Sequence, residues 1–318
     1  MSNPSRRGRW VLAAASVAVA LGALEVGLRV LSTGAAGTTG YAPVNTDLRF
    51  GRPRNARGYR DAERSLEKAA GTRRLLVLGD SFAWGASIEY EDTWAQRLER
   101  GLMRRRGERW EVVNLALPGL GASDYAAQFA AEGLAYAPDA VIVGWVLNDA
   151  ETKDEMKARE RAFAERERRP ASPFEISALY RFVRDRLRAT QDARGRVAYH
   201  RRLYSNEDPG WQEARRALKA IGALCRERGL PWIVAVFPMF GNPLDERYPF
   251  ADVHAKVAQA AAEAGARVVD LLPAYRGLRS EVLVVNGPLD EHPNEIAHRI
   301  AASVLLRALD DVAPAPVR

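Results

Sequence analysis

Residues 75–85 read Leu75-Leu76-Val77-Leu78-Gly79-Asp80-Ser81-Phe82-Ala83-Trp84-Gly85. Leu75 to Leu78 is a short apolar run, the pattern of a strand buried on both faces of a parallel sheet. It stops at a small residue, an acid and a hydroxyl. Open α/β sheets bind ligands at the carboxyl ends of their strands, so Ser81 stands where a reactive side chain would be useful. A plain strand-to-helix turn with a capping Ser has the same local pattern. The decision therefore rests on the remainder of the chain.

From residue 73 onward the pattern alternates. Strands are predicted at 74–78, 111–115, 140–146, 231–237 and 267–271, and helices at 93–106, 123–136, 211–228, 252–264 and 294–309. Asp92-Thr93, Ser123 and Asn294 have the character of N-caps. Apolar strands alternating with helices imply an α/β sandwich, a five-stranded parallel sheet covered on both faces. The expected strand order is the flavodoxin-like 2-1-3-4-5. Residues 151–210 interrupt the alternation with a helical insertion. Glu151 to Arg169 is charged and reads as a solvated helix. In residues 172–187, Phe174, Ala178, Phe182 and Ile176, Leu179, Val183, Leu187 make a helical apolar face opposite Arg181, Arg184, Arg186 and Arg188. Starting at the carboxyl edge of the sheet, the insertion is expected to cap the crevice. A hairpin packed elsewhere and a basic amphipathic helix on anionic lipid are the other readings.

Upstream, Arg6, Arg7 and Arg9 precede an apolar run from Trp10 to Leu24. Positive charge before an apolar run marks an export signal or a signal anchor. The run alone would make about 22 Å of helix, short of a ~30 Å hydrocarbon core, but it extends through Leu31. Glu25 and Arg29 are spaced to pair. An uncleaved transmembrane anchor at 1–31 is the preferred reading, with a cleaved signal peptide as its rival. Either way the rest of the chain is expected outside the cytoplasmic membrane, on the periplasmic side. Residues 32–72 read as a tether and an irregular surface segment, 73–310 as the catalytic domain and 311–318 as a tail.

The 318 residues carry a net charge of +7. Residues 153–202 hold 15 Lys+Arg against 8 Asp+Glu, so that segment alone accounts for the excess. A whole-protein nucleic-acid footprint is not indicated. The single cysteine, Cys225, excludes an internal disulfide and a Cys-rich metal site, and reads as a small core residue. Nothing in the sequence asks for a cofactor or a metal.

Four separated pieces fall near the carboxyl edge of the expected sheet. They are Gly79-Asp80-Ser81, Asn114 to Gly119, Asn148-Asp149, and Asp290-Glu291-His292-Pro293-Asn294. Together they suit acyl transfer. Ser81 is a nucleophile that needs a base, and His292 is the base. An acid must orient the imidazole and stabilise its charged form. Asp290 lies two residues before His292, so in an extended stretch both project the same way. Glu291 would point oppositely, Glu295 suits the helix N-terminus, and Asp149 is a weaker candidate. The oxyanion needs donors fixed beforehand. The Ser81 N–H, the Gly119 N–H and the Asn148 amide can supply them. His200 and His254 are expected at the surface, and His298 as a packed or capping residue.

This set resembles the GDSL or SGNH hydrolase family, whose blocks are matched by Ser81, Gly119, Asn148 and His292. The resemblance covers residues 73–310. It implies a flavodoxin-like α/β sandwich and activity as a serine esterase, a lipase, or a carbohydrate O-acyl hydrolase or transferase. The apolar start, Asn55 to Arg60 and Asp92-Thr93-Trp94 are similar to exported, membrane-tethered bacterial members. Two positions depart from the family pattern. Val146 stands where a glycine often precedes the Asn block, with Gly144 further back. Leu289 stands three before His292, where the acid is usual. The reading is an exported, membrane-anchored serine esterase acting on a small-molecule or glycan O-acyl ester. An exported polysaccharide O-acyltransferase with the same residues, and a non-catalytic glycan-binding or scaffold protein, are the alternatives. No nucleic-acid partner is expected, and the sequence leaves the oligomeric state open.

Overall fold

A computed structural model describes residues 6–35, 54–167, 173–286 and 290–312. The expected tether over 36–53 and the tail from 313 lie outside them. By its contacts the chain forms two units, Met1–Val44 with Arg161–Arg196, and Asn45–Glu160 with Val197–Arg318.

The first unit contains helix α1 (Arg6–Ala35). Its span Trp10–Val30 is 21 residues long and apolar enough to cross a membrane, a property that signal sequences share. That length makes about 31 Å of helix, close to a ~30 Å hydrocarbon core. Arg29 Nε donates to Glu25 Oε1 at 2.8 Å, as the i, i+4 spacing predicts.

The second unit is the sandwich. Strands β1 (Thr72–Gly79), β2 (Arg109–Asn114), β3 (Ala140–Trp145), β4 (Trp232–Val236) and β5 (Arg267–Asp270) form a parallel sheet in the order β2-β1-β3-β4-β5. This is the flavodoxin-like order. Side chains alternate between faces along a strand. Leu75, Leu76, Val77 and Leu78 are nonetheless all fully buried, so both faces are covered. Each such aliphatic side chain contributes about 1.5–3 kcal/mol on burial, which explains the uninterrupted apolar run.

The covering helices are α2 (Ser81–Trp84), α3 (Trp94–Arg106), α4 (Ala122–Ala131), α7 (Pro209–Glu227), α8 (Ala251–Glu263), α9 (Leu272–Tyr275) and α10 (Glu295–Val312). Helices α5 (Lys153–Glu167) and α6 (Ala178–Leu203) form the insertion, and the boundary between the two units crosses both. Helix α3 packs on α10, and α4 packs on α7. Thr93 and Asn294 cap α3 and α10 as expected: Gln96 N donates to Thr93 Oγ1, and Ile296 N to Asn294 Oδ1. Ser123 does not cap. Helix α4 starts one residue earlier, with Gly121 at the N-cap and its N–H donating to Asp124 Oδ2.

Two features were not expected. Strands β6 (Val284–Asn286) and β7 (Asp290–Pro293) pair antiparallel, so His292 stands on a strand rather than in a loop. The irregular segment before β1 is not only surface: Tyr59, Arg60 and Asp61 are buried. Asp61 accepts from Tyr90 Oη at 2.7 Å and from Asn114 N at 3.1 Å, tying the segment to the end of β2.

Candidate active site

Ser81 opens α2 directly after β1. Asp80 caps that short helix, its Oδ1 accepting from Phe82 N at 2.9 Å. The first N–H of a helix has no intrahelical acceptor, so the Ser81 N–H is available to an anion. Helix α2 can sit this close to the sheet because β1 ends in glycine. A Cβ on Gly79 would stand 2.6 Å from Ala83 Cβ. Gly79 pairs with Gly144 on β3, and a Cβ there would also touch Ala83. Gly144 thus lies under the nucleophile turn, while Val146 stands two before Asn148.

His292 Nε2 lies 2.9 Å from Ser81 Oγ. With the ring proton on Nδ1, the Ser81 hydroxyl donates to Nε2. The imidazole also packs on Phe82, ring centroids 5.6 Å apart, and Phe82 packs on Phe237 and Phe240. Only the backbone of Asp290 is described, in β7; its side chain lies outside the described residues. Of the other acids weighed for that role, Glu295 is exposed, whereas Asp149 is buried and bonded elsewhere.

Asn148 lies in a single 3₁₀ turn, Leu147–Ala150, after β3. Its Nδ2 donates to Asp80 Oδ2 at 3.4 Å, and Ser81 Oγ is also 3.4 Å from that oxygen. Asp149 holds the turn from beneath. Its Oδ2 accepts from Val146 N at 2.9 Å and its Oδ1 from Tyr125 Oη at 2.8 Å. Gly119 lies on the loop after β2, which runs along the end of β1 through Leu115 N to Val77 O and Leu117 N to Gly79 O. Gly119 has φ +79°, a left-handed conformation that favours glycine. A Cβ there would meet only Met156 Sδ, at 3.7 Å, so its backbone is open to close approach. Asp80, Ser81, Asn148 and His292 are thus joined by direct contacts, and Gly119 stands on the neighbouring loop.

Two buried carboxylates underlie the site. Burial pushes the Asp80 carboxyl up, against the Phe82 N–H and the nearby His292 and Asn148. Burial, reinforced by the negative charge of Asp80, pushes Asp149 well above the usual carboxylate range. Among the described residues, no group of three or more His, Cys, Asp or Glu is placed to hold an ion.

Supporting residues surround the turn. Arg60, named above only through the resemblance, is buried and donates to Gly85 O and Ile88 O, each at 2.6 Å. Its guanidinium lies 4.8 Å from the Trp84 ring centroid. These charge-assisted bonds fix the loop that follows α2. Trp94 Nε1 donates to Phe82 O at 3.2 Å, and Trp94 N donates to His298 Nδ1 at 3.0 Å. His298 is therefore a packed, capping residue, and burial holds its pKa down at about 3.

Two expectations about histidines fail. His254 is buried, with Nδ1 2.9 Å from Asp270 Oδ1 and Nε2 3.1 Å from Tyr248 Oη. His200 is buried against Phe250. Phe250 is 50 residues from His200 and Asp270 is 16 from His254, so neither contact is visible locally. Cys225 is a core residue as expected, and burial pushes its thiol up to about 12.

Residues 77–300 match the GDSL-like Lipase/Acylhydrolase family. No curated protein matches the chain. Among solved structures, TesA is similar at 17% identity and TM-score 0.46, over 76% of this chain and 99% of that one. A putative lipolytic protein of the G-D-S-L family from Desulfitobacterium hafniense DCB-2 is similar at 18% identity and TM-score 0.45, over 74% and 99%. Axe2, an acetylxylan esterase from Geobacillus stearothermophilus, is similar at 17% identity and TM-score 0.47, over 74% and 93%. The family match covers more than half of the chain: this protein belongs to the GDSL-like lipase/acylhydrolase family and is an SGNH-type ester hydrolase.

Proposed function

We propose that the protein is a serine esterase that cleaves an O-acyl ester through an acyl-enzyme on Ser81. The observation that carries this reading is the 2.9 Å contact between Ser81 Oγ and His292 Nε2. Ser81 Oγ attacks the ester carbonyl carbon while its proton passes to His292 Nε2. The carbonyl oxygen becomes an oxyanion and accepts from the Ser81 N–H, the Gly119 N–H and Asn148 Nδ2. Collapse breaks the bond to the alcohol oxygen, which leaves with the proton from His292. Water then attacks the acyl carbon, giving its proton to His292, and collapse releases the carboxylic acid and returns the proton to Ser81. Asp290 orients the imidazole and stabilises its cationic form, a role resting on its sequence spacing. Water as the acceptor follows the acylhydrolase character of the family. α1 serves as a membrane anchor, with the catalytic residues on the extracytoplasmic side, a reading supported by Arg6, Arg7 and Arg9 ahead of the span.

Steady-state hydrolysis of short-chain aryl esters tests the assignment. Ser81→Ala and His292→Ala are expected to abolish turnover in folded protein. Asp290→Asn should lower kcat by roughly 10²–10⁴, while Glu291→Gln and Glu295→Gln should each cost less than about tenfold. Near-normal turnover in Ser81→Ala removes the acyl-enzyme mechanism; near-normal turnover in Asp290→Asn moves the orienting acid elsewhere.

A further inference from the structure

Glu25 is an acid inside the apolar span of α1, five residues before its end at Val30. At 1.5 Å per residue this places it about 8 Å within the span. A carboxylate at that depth is costly unless its lone pairs are filled. They are filled by a second segment of the same unit. Ala178 N donates to Glu25 Oε1 at 2.8 Å, Leu179 N to Oε2 at 2.8 Å, and Ser177 Oγ to Oε2 at 2.9 Å. Arg29 donates to Glu25 through Nε and to Ile176 O through Nη2 at 2.9 Å. Glu25 thus caps the N-terminus of α6, where a negative charge is favoured.

The side chains around this clamp are apolar and uncovered. Ile176 is 77% exposed, Phe174 69% and Phe182 53%, and Val183 is exposed beside them. Phe174 packs on Tyr180 at 5.8 Å, and the Arg184 guanidinium lies 5.7 Å from the Tyr180 ring centroid. Of the apolar face read from the sequence, Ala178 is buried and Leu179 half-buried, while Phe174, Ile176, Phe182 and Val183 stay exposed. Large apolar side chains in one short stretch are poorly suited to water. Aromatic and aliphatic groups interleaved with Arg181 and Arg184 suit the boundary between acyl chains and headgroups, where apolar faces sink roughly 5–10 Å. The depth of Glu25 along α1 falls in the same range.

We infer that residues 173–184 form a second membrane contact, a segment lying in the bilayer interface and held there by the Glu25 clamp on α1. Its apolar side chains enter the lipid, and Arg181 and Arg184 meet headgroup phosphates. This rests on α1 being a membrane helix. It concerns lipid, and is independent of the chemistry at Ser81.

The test uses the full chain in proteoliposomes, with Cys225→Ala as background and a single cysteine carrying an environment-sensitive fluorophore. Phe182→Cys reports the segment, and Val19→Cys reports the middle of α1. Nitroxide-bearing lipids quench at either shallow or deep positions. Phe182→Cys is expected to be quenched chiefly by the shallow nitroxide and Val19→Cys by the deep one. Adding Glu25→Leu should at least halve the quenching at 182 and leave that at 19 unchanged. A fluorophore at 182 that behaves as in water while 19 is quenched overturns the inference and leaves the anchor standing. No quenching at 19 overturns both. Quenching at 182 that survives Glu25→Leu overturns the clamp. Aryl ester turnover, unchanged in each variant, reports that the protein has folded.

Discussion

His298, on α10 six residues beyond His292, is 1% exposed, and its Nδ1 accepts from the backbone N–H of Trp94 at the start of α3. Its pKa is held at about 3 in the folded protein against 6.5 for an ordinary histidine. Between these values the unfolded chain binds a proton that the folded chain does not. Stability from this residue is therefore fully present above about pH 6.5 and is lost as pH falls toward 3, with a slope approaching about 1.4 kcal/mol per pH unit. Asp80 and Asp149 act in the opposite sense, because their raised pKa values let the folded state bind protons more readily. The difference between wild type and His298→Gln isolates the histidine. Denaturant unfolding from pH 4.5 to 8 is expected to show a shallower acid-side decline in the variant. Equal slopes would mean that His298 is charged, or solvated, in the folded state. The packed or capping role of His298 was legible in the sequence, but its partner was not, since Trp94 and His298 are 204 residues apart. That Ser81, Gly119 and Asn148 gather at one edge of the sheet was legible because each follows a strand of the parallel sheet, whereas His292 was singled out by residue type and reaches Ser81 from β7. The burial of His254 was not legible, because its partner Asp270 ends a strand and meets it only once α8 packs on the sheet.

At the scale of elements, the meeting of β1 with α2 decides whether Ser81 reaches His292. Gly79 and Gly144 let Ala83 lie against the sheet. Gly79→Ala would bring two Cβ atoms to 2.6 Å, with Gly144 O at 3.3 Å. Overpacking of this kind costs about 1–3 kcal/mol. Displacement of α2 by as little as about 1 Å can cost 10²-fold in rate. Gly79→Ala is therefore expected to lower both the denaturant midpoint and kcat, and adding Ala83→Gly should recover part of each. A loss that Ala83→Gly does not touch would mean that the glycine serves something other than this contact. The five strands and the main helices were readable from apolar runs and periodicity. Short elements were not: β6 has three residues, and its apolar signal is too brief to register. Ser123 misled because Gly121 already supplies the extended N-cap conformation, so the helix begins one residue early.

At the scale of the whole molecule, the chain joins a membrane-length helix to an ester-hydrolase sandwich. Its basic excess falls in residues 153–202, a stretch with no strand among its described residues. Arginines before the apolar span lead us to expect the sandwich on the far side of the membrane. Protease added to intact spheroplasts should digest residues 73–318; protection until the membrane is lysed would reverse that orientation. The central claim is that this molecule turns over esters through a covalent bond to one serine. Intact-mass spectrometry after exposure to a fluorophosphonate measures that bond directly, and fragmentation assigns it. Wild type should gain a single phosphonyl adduct on Ser81, and folded Ser81→Ala should gain none. An adduct of equal yield on Ser81→Ala, or one mapped to another residue in wild type, would contradict the claim.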